Sequence, residues 1–163
     1  MNSLSQIRIV LCRPRMPANV GAAARAMKVM GLGGGSVDDL GEAGQLYLVA
    51  PHAYSAAHSG AFDATHPEAI ALASGADDVL ARAKLVDDLD AALVDCHAAI
   101  AMTARPREWG GTVAGLPETI AQFNTSMYQG KTIAFVFGNE RTGLDNAEIL
   151  RCNHVCHIDT NPD

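Results

Sequence analysis

The run QIRIVLC, residues 6–12, is apolar at almost every position and has no polar face. A strand of that kind is covered on both sides, which an antiparallel sheet with one wet face does not need. KTIAFVF (131–137) repeats the pattern, and QLYLVAP (45–51), AAIAM (98–102) and HVCHI (154–158) shorten it. Helix signals fall between the strands. Asn19 stands as an N-cap and Gly31 as a stop for a helix whose buried stripe is Val20, Ala23, Met27 and Met30. Thr65 and Glu68 have capping-box spacing, with Pro67 in the first turn and Gly75 as a stop. AKLVDDLDAALVDC reads as a short strand and a helix, LPETIAQF starts a helix at Pro117, and LDNAEIL opens one at Asp145. Strand and helix alternate along the chain, so the expected class is α/β, a mostly parallel sheet with helices on both faces.

The 163 residues form one expected domain, 1–163, with a single core. Composition excludes several classes: 48% hydrophobic and 18% charged residues are those of a compact folded chain, neither disordered nor fibrous. No apolar run is long enough for a membrane span and the N-terminal residues lack signal-peptide order, so a cytoplasmic protein is expected. Cys12, Cys96, Cys152 and Cys156 lie in core-like segments and read as buried free thiols. The net charge of −6 argues against a generally basic surface, leaving local patches of Arg105, Arg107 and Lys28 with Arg25. GLGGGSVDDLGEAGQ (31–45) and AYSAAHSGAFDA (53–64) read as loops.

In open α/β sheets ligands sit beyond the carboxyl ends of strands, so the loops after strands are where chemistry is sought. RPRMPANVGAAAR carries Asn19 at a helix start and Arg25 opposite the buried stripe; a cap and a solvated arginine would explain both. MTARPREWGG ends a strand in small residues and then places two arginines beside Trp109, the only tryptophan. A flat ring could lie against that backbone, or the loop could be plain surface. FVFGNERTGL ends a buried strand in Gly138, Asn139, Glu140 and Arg141 before Gly143. There Gly138 admits a close approach, and Glu140 can accept a hydrogen bond or hold Arg141 or Arg25. The bland alternative is a surface ion pair. Cys152, His154 and Cys156 alternate onto one expected strand face, a spacing unlike the turn-borne pairs of zinc sites, so no metal is expected. GLGGGS follows a helix, the reverse of a dinucleotide fingerprint, and neither a P-loop nor a nucleophile elbow is present.

Taken together, NVGAAARAMKVMG, FVFGNERTGL and HIDTNP resemble, in order and spacing, the three motifs of the SPOUT-class (SpoU group) RNA 2′-O-ribose methyltransferases. The likeness covers most of residues 6–162 and is nearest to the members that methylate a ribose in the tRNA anticodon loop. The resemblance implies S-adenosylmethionine as cofactor, RNA (tRNA before rRNA) as substrate, a homodimer, and a C-terminal trefoil knot. It places Asn19, Arg25 and Glu140 on the catalytic side. Met102, Thr103, Ala104, Gly138, Asn139, Gly143 and Ile158 then enclose the cofactor. The family's third motif runs on past Asn161 and Pro162 into a Ser-Leu-Asn stretch and the knot-completing helix, which this chain, ending at Asp163, lacks; a domain truncated at its C-terminus is expected. The 31–45 insertion is a second departure and the acidic charge a third. The competing expectations are a catalytically silent RNA-binding or dimerisation module of the same fold, and a nucleotide-binding flavodoxin-like domain.

Overall fold

The computed structural model describes residues 6–32, 45–54, 59–104, 113–125 and 128–158. In chain order these form β1 (Ile7–Cys12), α1 (Pro17–Val29), β2 (Gln45–Val49), β3 (His52–Tyr54), β4 (Ser59–Ala61), α2 (Pro67–Ala73) and α3 (Asp77–Ala81). They continue as β5 (Lys84–Val86), α4 (Leu89–Leu93), β6 (Ala98–Thr103), β7 (Val113–Gly115), α5 (Leu116–Phe123), β8 (Ile133–Phe137), α6 (Asn146–Leu150) and β9 (His154–His157). Seven strands make one sheet in the order β5-β2-β1-β8-β6-β9-β7, and all of its ladders are parallel. The expected α/β class is the observed one.

Register explains why the central runs have no polar face. Val10, Cys12, Val49, Ala99, Ala101, Ala134 and Val136 face one side and pack with Leu89 and Ala92 of α4 and Ile149 of α6. Leu46 and Leu48, on alternate positions of β2, face the other side with Val20, Ala24 and Met27 of α1 and Ala69 and Ala73 of α2. Ala98, Ile100 and Met102 continue that second face against Phe123 of α5. Leu46, Leu48 and Ile100 are almost wholly out of water. Each such side chain contributes roughly 1.5–3 kcal/mol of burial. α1 and α2 meet so closely at Gly21 that a Cβ there would lie 2.0 Å from the Ala69 carbonyl oxygen.

One charge sits inside this core. Arg8, only 7% exposed, donates from Nη1 to the Ala92 and Val94 carbonyls at 2.6 and 2.8 Å and lies 4.4 Å from the Tyr47 ring centroid. The carbonyls at the end of α4 have no partner within their own helix, so a cation there satisfies them, while Arg8 Nε is buried without a hydrogen-bond partner among the described residues.

Several local expectations are corrected. α1 starts at Pro17, two residues before Asn19, so Asn19 lies inside the first turn; the cap position is Met16, whose side chain makes no capping bond. The buried stripe is Pro17, Val20, Gly21, Ala24 and Met27, and Met30, just past the helix end, is 69% exposed. His66, not Thr65, caps α2, accepting from the Glu68 N–H through Nδ1 at 3.2 Å, while Thr65 bonds Asp63. Residues 53–64 include a short antiparallel hairpin, β3 with β4, where a loop was expected. Cys152 precedes β9, so Cys152, His154 and Cys156 do not share a strand face; Cys152 and Cys156 enter different parts of the core. Cys12, Cys152 and Cys156 are buried free thiols and Cys96 is half-buried. Residues 33–44 of the 31–45 segment, and Arg105, Arg107 and Trp109, fall outside the described residues. No described helix is long and apolar enough to cross a membrane.

Candidate functional site

The chain moves outward from β1 to β2 and β5, then crosses to build β6, β8, β9 and β7 on the other side of β1. The loops that follow β1 and β8 therefore emerge side by side, at the reversal of strand order where open α/β sheets hold their ligands. Leu11 pairs with Phe137, Phe137 with Met102, and Met102 with Cys156, so four strands end nearly level. Gly138, Ala104 and Ile158 each follow one of these ends.

Loop 138–144 is organised from within by Asn139. Its buried Oδ1 accepts from the Arg141 N–H (3.0 Å), the Thr142 N–H (2.8 Å) and the Thr142 hydroxyl (3.0 Å). Its carbonyl accepts from the Gly143 N–H at 2.9 Å. A short polar side chain that satisfies successive backbone donors is how asparagine builds a turn. The returning strand of the loop lies directly on Gly138: a Cβ there would meet Gly143 C and Leu144 N at 2.0 Å. Gly143 turns the chain at φ 69°, where glycine carries no steric cost. The sequence assigned the bareness of Gly138 to a ligand's approach; in the structure the close neighbour is the loop's own backbone.

Glu140 reaches from this loop to the start of α1. Its carboxylate accepts from the Arg15 N–H at 2.9 Å, the Met16 N–H at 3.1 Å and Asn19 Nδ2 at 3.1 Å. The helix has no cap of its own, so Glu140 supplies one from 124 residues away in sequence, and a carboxylate at a helix N-terminus is also favoured by the backbone dipole. Of the partners expected for Glu140, neither Arg141 nor Arg25 is one among the described residues. Asn19 and Glu140 are brought together; Arg25 is not. It lies six residues along α1, which turns its side chain about 120° away from Asn19 and about 9 Å down the axis. Arg25 is exposed, and its side chain makes no hydrogen bond or ion pair among the described residues. Lys28, its expected companion in a basic patch, is bound to Asp78 and the Gly75 carbonyl, both at 2.8 Å.

The far wall is backbone. The Ile158 N–H donates to the Thr103 carbonyl at 2.9 Å, and His157 Nε2 lies 3.2 Å from the Ala104 carbonyl oxygen. These contacts tie the ends of β6 and β9 together. Met102 is buried, Thr103, Gly138 and Ile158 are half-buried, and Ala104 is exposed. Asp159 onward, including the remainder of HIDTNP, lies outside the described residues.

A second set of residues was not singled out in the sequence. Arg13, in the turn after β1, donates from Nε and Nη2 to the two oxygens of Glu148 at 2.8 Å each, and Nη2 lies 3.5 Å from Asp145 Oδ2. That paired hydrogen bond with Glu148 raises the guanidinium pKa further. Glu148 also accepts from the Asp145 N–H at 2.7 Å, and Asp145 returns a bond from the Glu148 N–H at 2.8 Å, a complete capping box on α6. The sequence marked Asp145 as a helix start; its pairing with Glu148 and the link to Arg13 come from the structure. Beside this cluster, burial pushes the Cys152 thiol up to about 12, and burial pushes Cys12 higher still, with Glu148 adding to both. Neither thiol is a nucleophile at neutral pH.

Solved structures place this architecture among methyltransferases. A probable methyltransferase from Bordetella pertussis Tohama I is 38% identical with a TM-score of 0.77, the alignment covering 98% of this chain and 85% of that one. The fold alone is shared with the SpoU methyltransferase AviRb from Streptomyces viridochromogenes, solved in complex with the cofactor AdoMet (17% identity, TM-score 0.62, 98% of this chain and 50% of that one). The chain belongs to the SpoU rRNA Methylase family, whose model it matches over residues 6–163. Among curated relatives, the tRNA (cytidine/uridine-2'-O-)-methyltransferase TrmJ of Photorhabdus laumondii is 36% identical over 160 residues, 98% of this chain and 57% of that protein. The chain spans a little over half the length of the curated relatives it matches.

Proposed function

We propose that this domain transfers a methyl group from S-adenosylmethionine to a ribose 2′-hydroxyl of RNA, with tRNA as the substrate. The observation that carries the reading is the Glu140 clasp: two motif-bearing loops, far apart in sequence, meet at the carboxyl edge of the sheet through three hydrogen bonds, one of them from Asn19. Family membership and the activity printed for the TrmJ relative support the same assignment.

The residues at the edge fit the cofactor. Met102 and Ile158 are apolar, Thr103 and Ala104 end a strand in small side chains, and Gly138 presents backbone, a set suited to a thioether and a flat base. Gly143 and Asn139 hold that wall in shape, the Asn139 oxygen being engaged by the loop's own donors. The bound cofactor would supply an electrophilic methyl on a sulfonium centre. The chain's task is to hold the ribose hydroxyl in line and to stabilise charge as it loses its proton. A guanidinium keeps its own proton, so Arg25 serves as a phosphate or alkoxide partner and not as the base. Its place away from the Asn19–Glu140 clasp suits a site completed by a second copy. The homodimer, a cytoplasmic setting and a C-terminal knot belong to this reading. With a net charge of −6, the RNA-binding face must be concentrated and local.

The test has two stages: calorimetric titration with S-adenosylhomocysteine, then transfer of labelled methyl to tRNA transcripts, followed by alkaline digestion. One saturable site per chain and label in alkali-resistant dinucleotides are expected. Binding of tRNA without methyl transfer would replace this reading with the silent RNA-binding module.

A further inference from the structure

We propose that Arg13 is a positioning residue for the site, holding the turn between β1 and α1 in the one conformation that presents the Arg15 and Met16 amides to Glu140. Arg13 adopts φ 50°, a left-handed conformation that a side-chain-bearing residue avoids. It also precedes Pro14, and a residue before proline favours extended backbone. Arg13 is thus held against two local preferences.

What holds it is on both sides. The Arg13 N–H donates to the Val49 carbonyl at 2.8 Å, and the Pro14 carbonyl accepts from the His52 N–H at 3.0 Å, which fasten the backbone to β2 and β3. The side chain is fixed by its two-pronged bond to Glu148, whose carboxylate is itself oriented by the Asp145 N–H. A planar guanidinium on a carboxylate sets direction as well as distance, which a lysine cannot do. Two residues later the turn delivers the Arg15 N–H to Glu140. The segment 138–148 therefore grips the start of α1 at two points, Glu140 on the backbone amides and Glu148 on Arg13. With only the first grip, the turn could relax toward extended backbone and carry Asn19 out of register with the loop.

Arg13→Gly separates positioning from stability, because glycine accepts the left-handed conformation without cost while the grip on Glu148 is lost. In the intact chain, amide exchange of Arg15 and Met16 is expected to rise about tenfold in Arg13→Gly, with Ala24 in the middle of α1 unchanged. Arg13→Lys should fall between wild type and Arg13→Gly. Unaltered exchange at Arg15 and Met16 would overturn the proposal. So would loss of the fold in both variants, which would make Arg13 a residue that only stabilises. The kinetic arm rests on the methyltransferase reading: kcat falls about tenfold while KM for RNA stays within about twofold. If the wild-type chain transfers no methyl but the exchange pattern follows, the functional reading fails and the positioning role stands. If wild type is active and Arg13→Gly equally fast, the positioning role alone fails.

Discussion

Helices α1 and α6 both begin just after a strand-end loop, yet they solve the same problem in opposite ways. Every helix starts with backbone N–H groups that its own carbonyls cannot reach. α6 answers from its own sequence, Asp145 and Glu148 capping one another across three residues. α1 has Met16 at the cap position and Pro17 after it, and draws its acceptor from Glu140 in another loop. A self-capped helix carries the acceptors for its first N–H groups with it wherever it is packed. A helix capped from a distance holds its N-terminus in place only when two loops are correctly docked, so the geometry of Asn19 reports on the loop that carries Glu140.

The strongest way to break that docking is to displace the loop itself. Gly138→Ala puts a methyl 2.0 Å from backbone that cannot retreat, and a loss of about 3 kcal/mol or more is expected in chemical denaturation. Wild-type stability in that variant would show that the 138–144 loop is not held as described. Glu140→Ala comes next and sharpens the contrast. Removing a distant cap should cost about 1–2 kcal/mol of stability. On the proposed function, the same change should slow methyl transfer by about a hundredfold, since the displaced residues lie at the candidate site. A rate loss no larger than the stability loss accounts for would reduce Glu140 to an ordinary cap.

Asp145→Ala is the matched change on the self-capped helix. It should cost about 1 kcal/mol in thermal unfolding and slow methyl transfer less than Glu140→Ala does. Equal effects of the two variants on rate would erase the distinction between the helices. The smallest effect lies away from both. Burial beside Phe123, whose ring centroid is 4.9 Å from that of His154, lowers the His154 pKa below its ordinary 6.5. Between the lowered folded pKa and 6.5 the unfolded chain binds more protons, so stability is full above 6.5 and declines as pH falls through that window. Replacing the imidazole, as in His154→Gln, should flatten the decline by a few tenths of a kcal/mol, read from denaturation midpoints at pH 5 and pH 8.

The two helices also mark how far reading the sequence could go. Asp145 was read as a helix start and is the N-cap of α6, and its capping partner Glu148 sits only three residues away. Asn19 was read as a cap because asparagine is a good one, but tertiary packing moved the start to Pro17 and gave Asn19 to Glu140 instead. Arg13 carried no local mark at all: its left-handed backbone and its carboxylate, 135 residues distant, exist only in the folded chain. Gly138 was singled out for a close approach, and the backbone of its own loop makes one.

The parallel sheet with helices on both faces was written in the one-dimensional pattern, because strands covered on two sides must be apolar at consecutive positions and their crossovers must be long enough to hold helices. The motif residues at strand ends were legible for a related reason, since chemistry concentrates where apolar runs stop. Strand order, the level ending of β1, β8, β6 and β9, and the grip of 138–148 on the start of α1 were decided only by tertiary structure. Those features depend on which distant segments lie side by side, and hydrogen-bond partners separated by more than a hundred residues leave no periodicity to read.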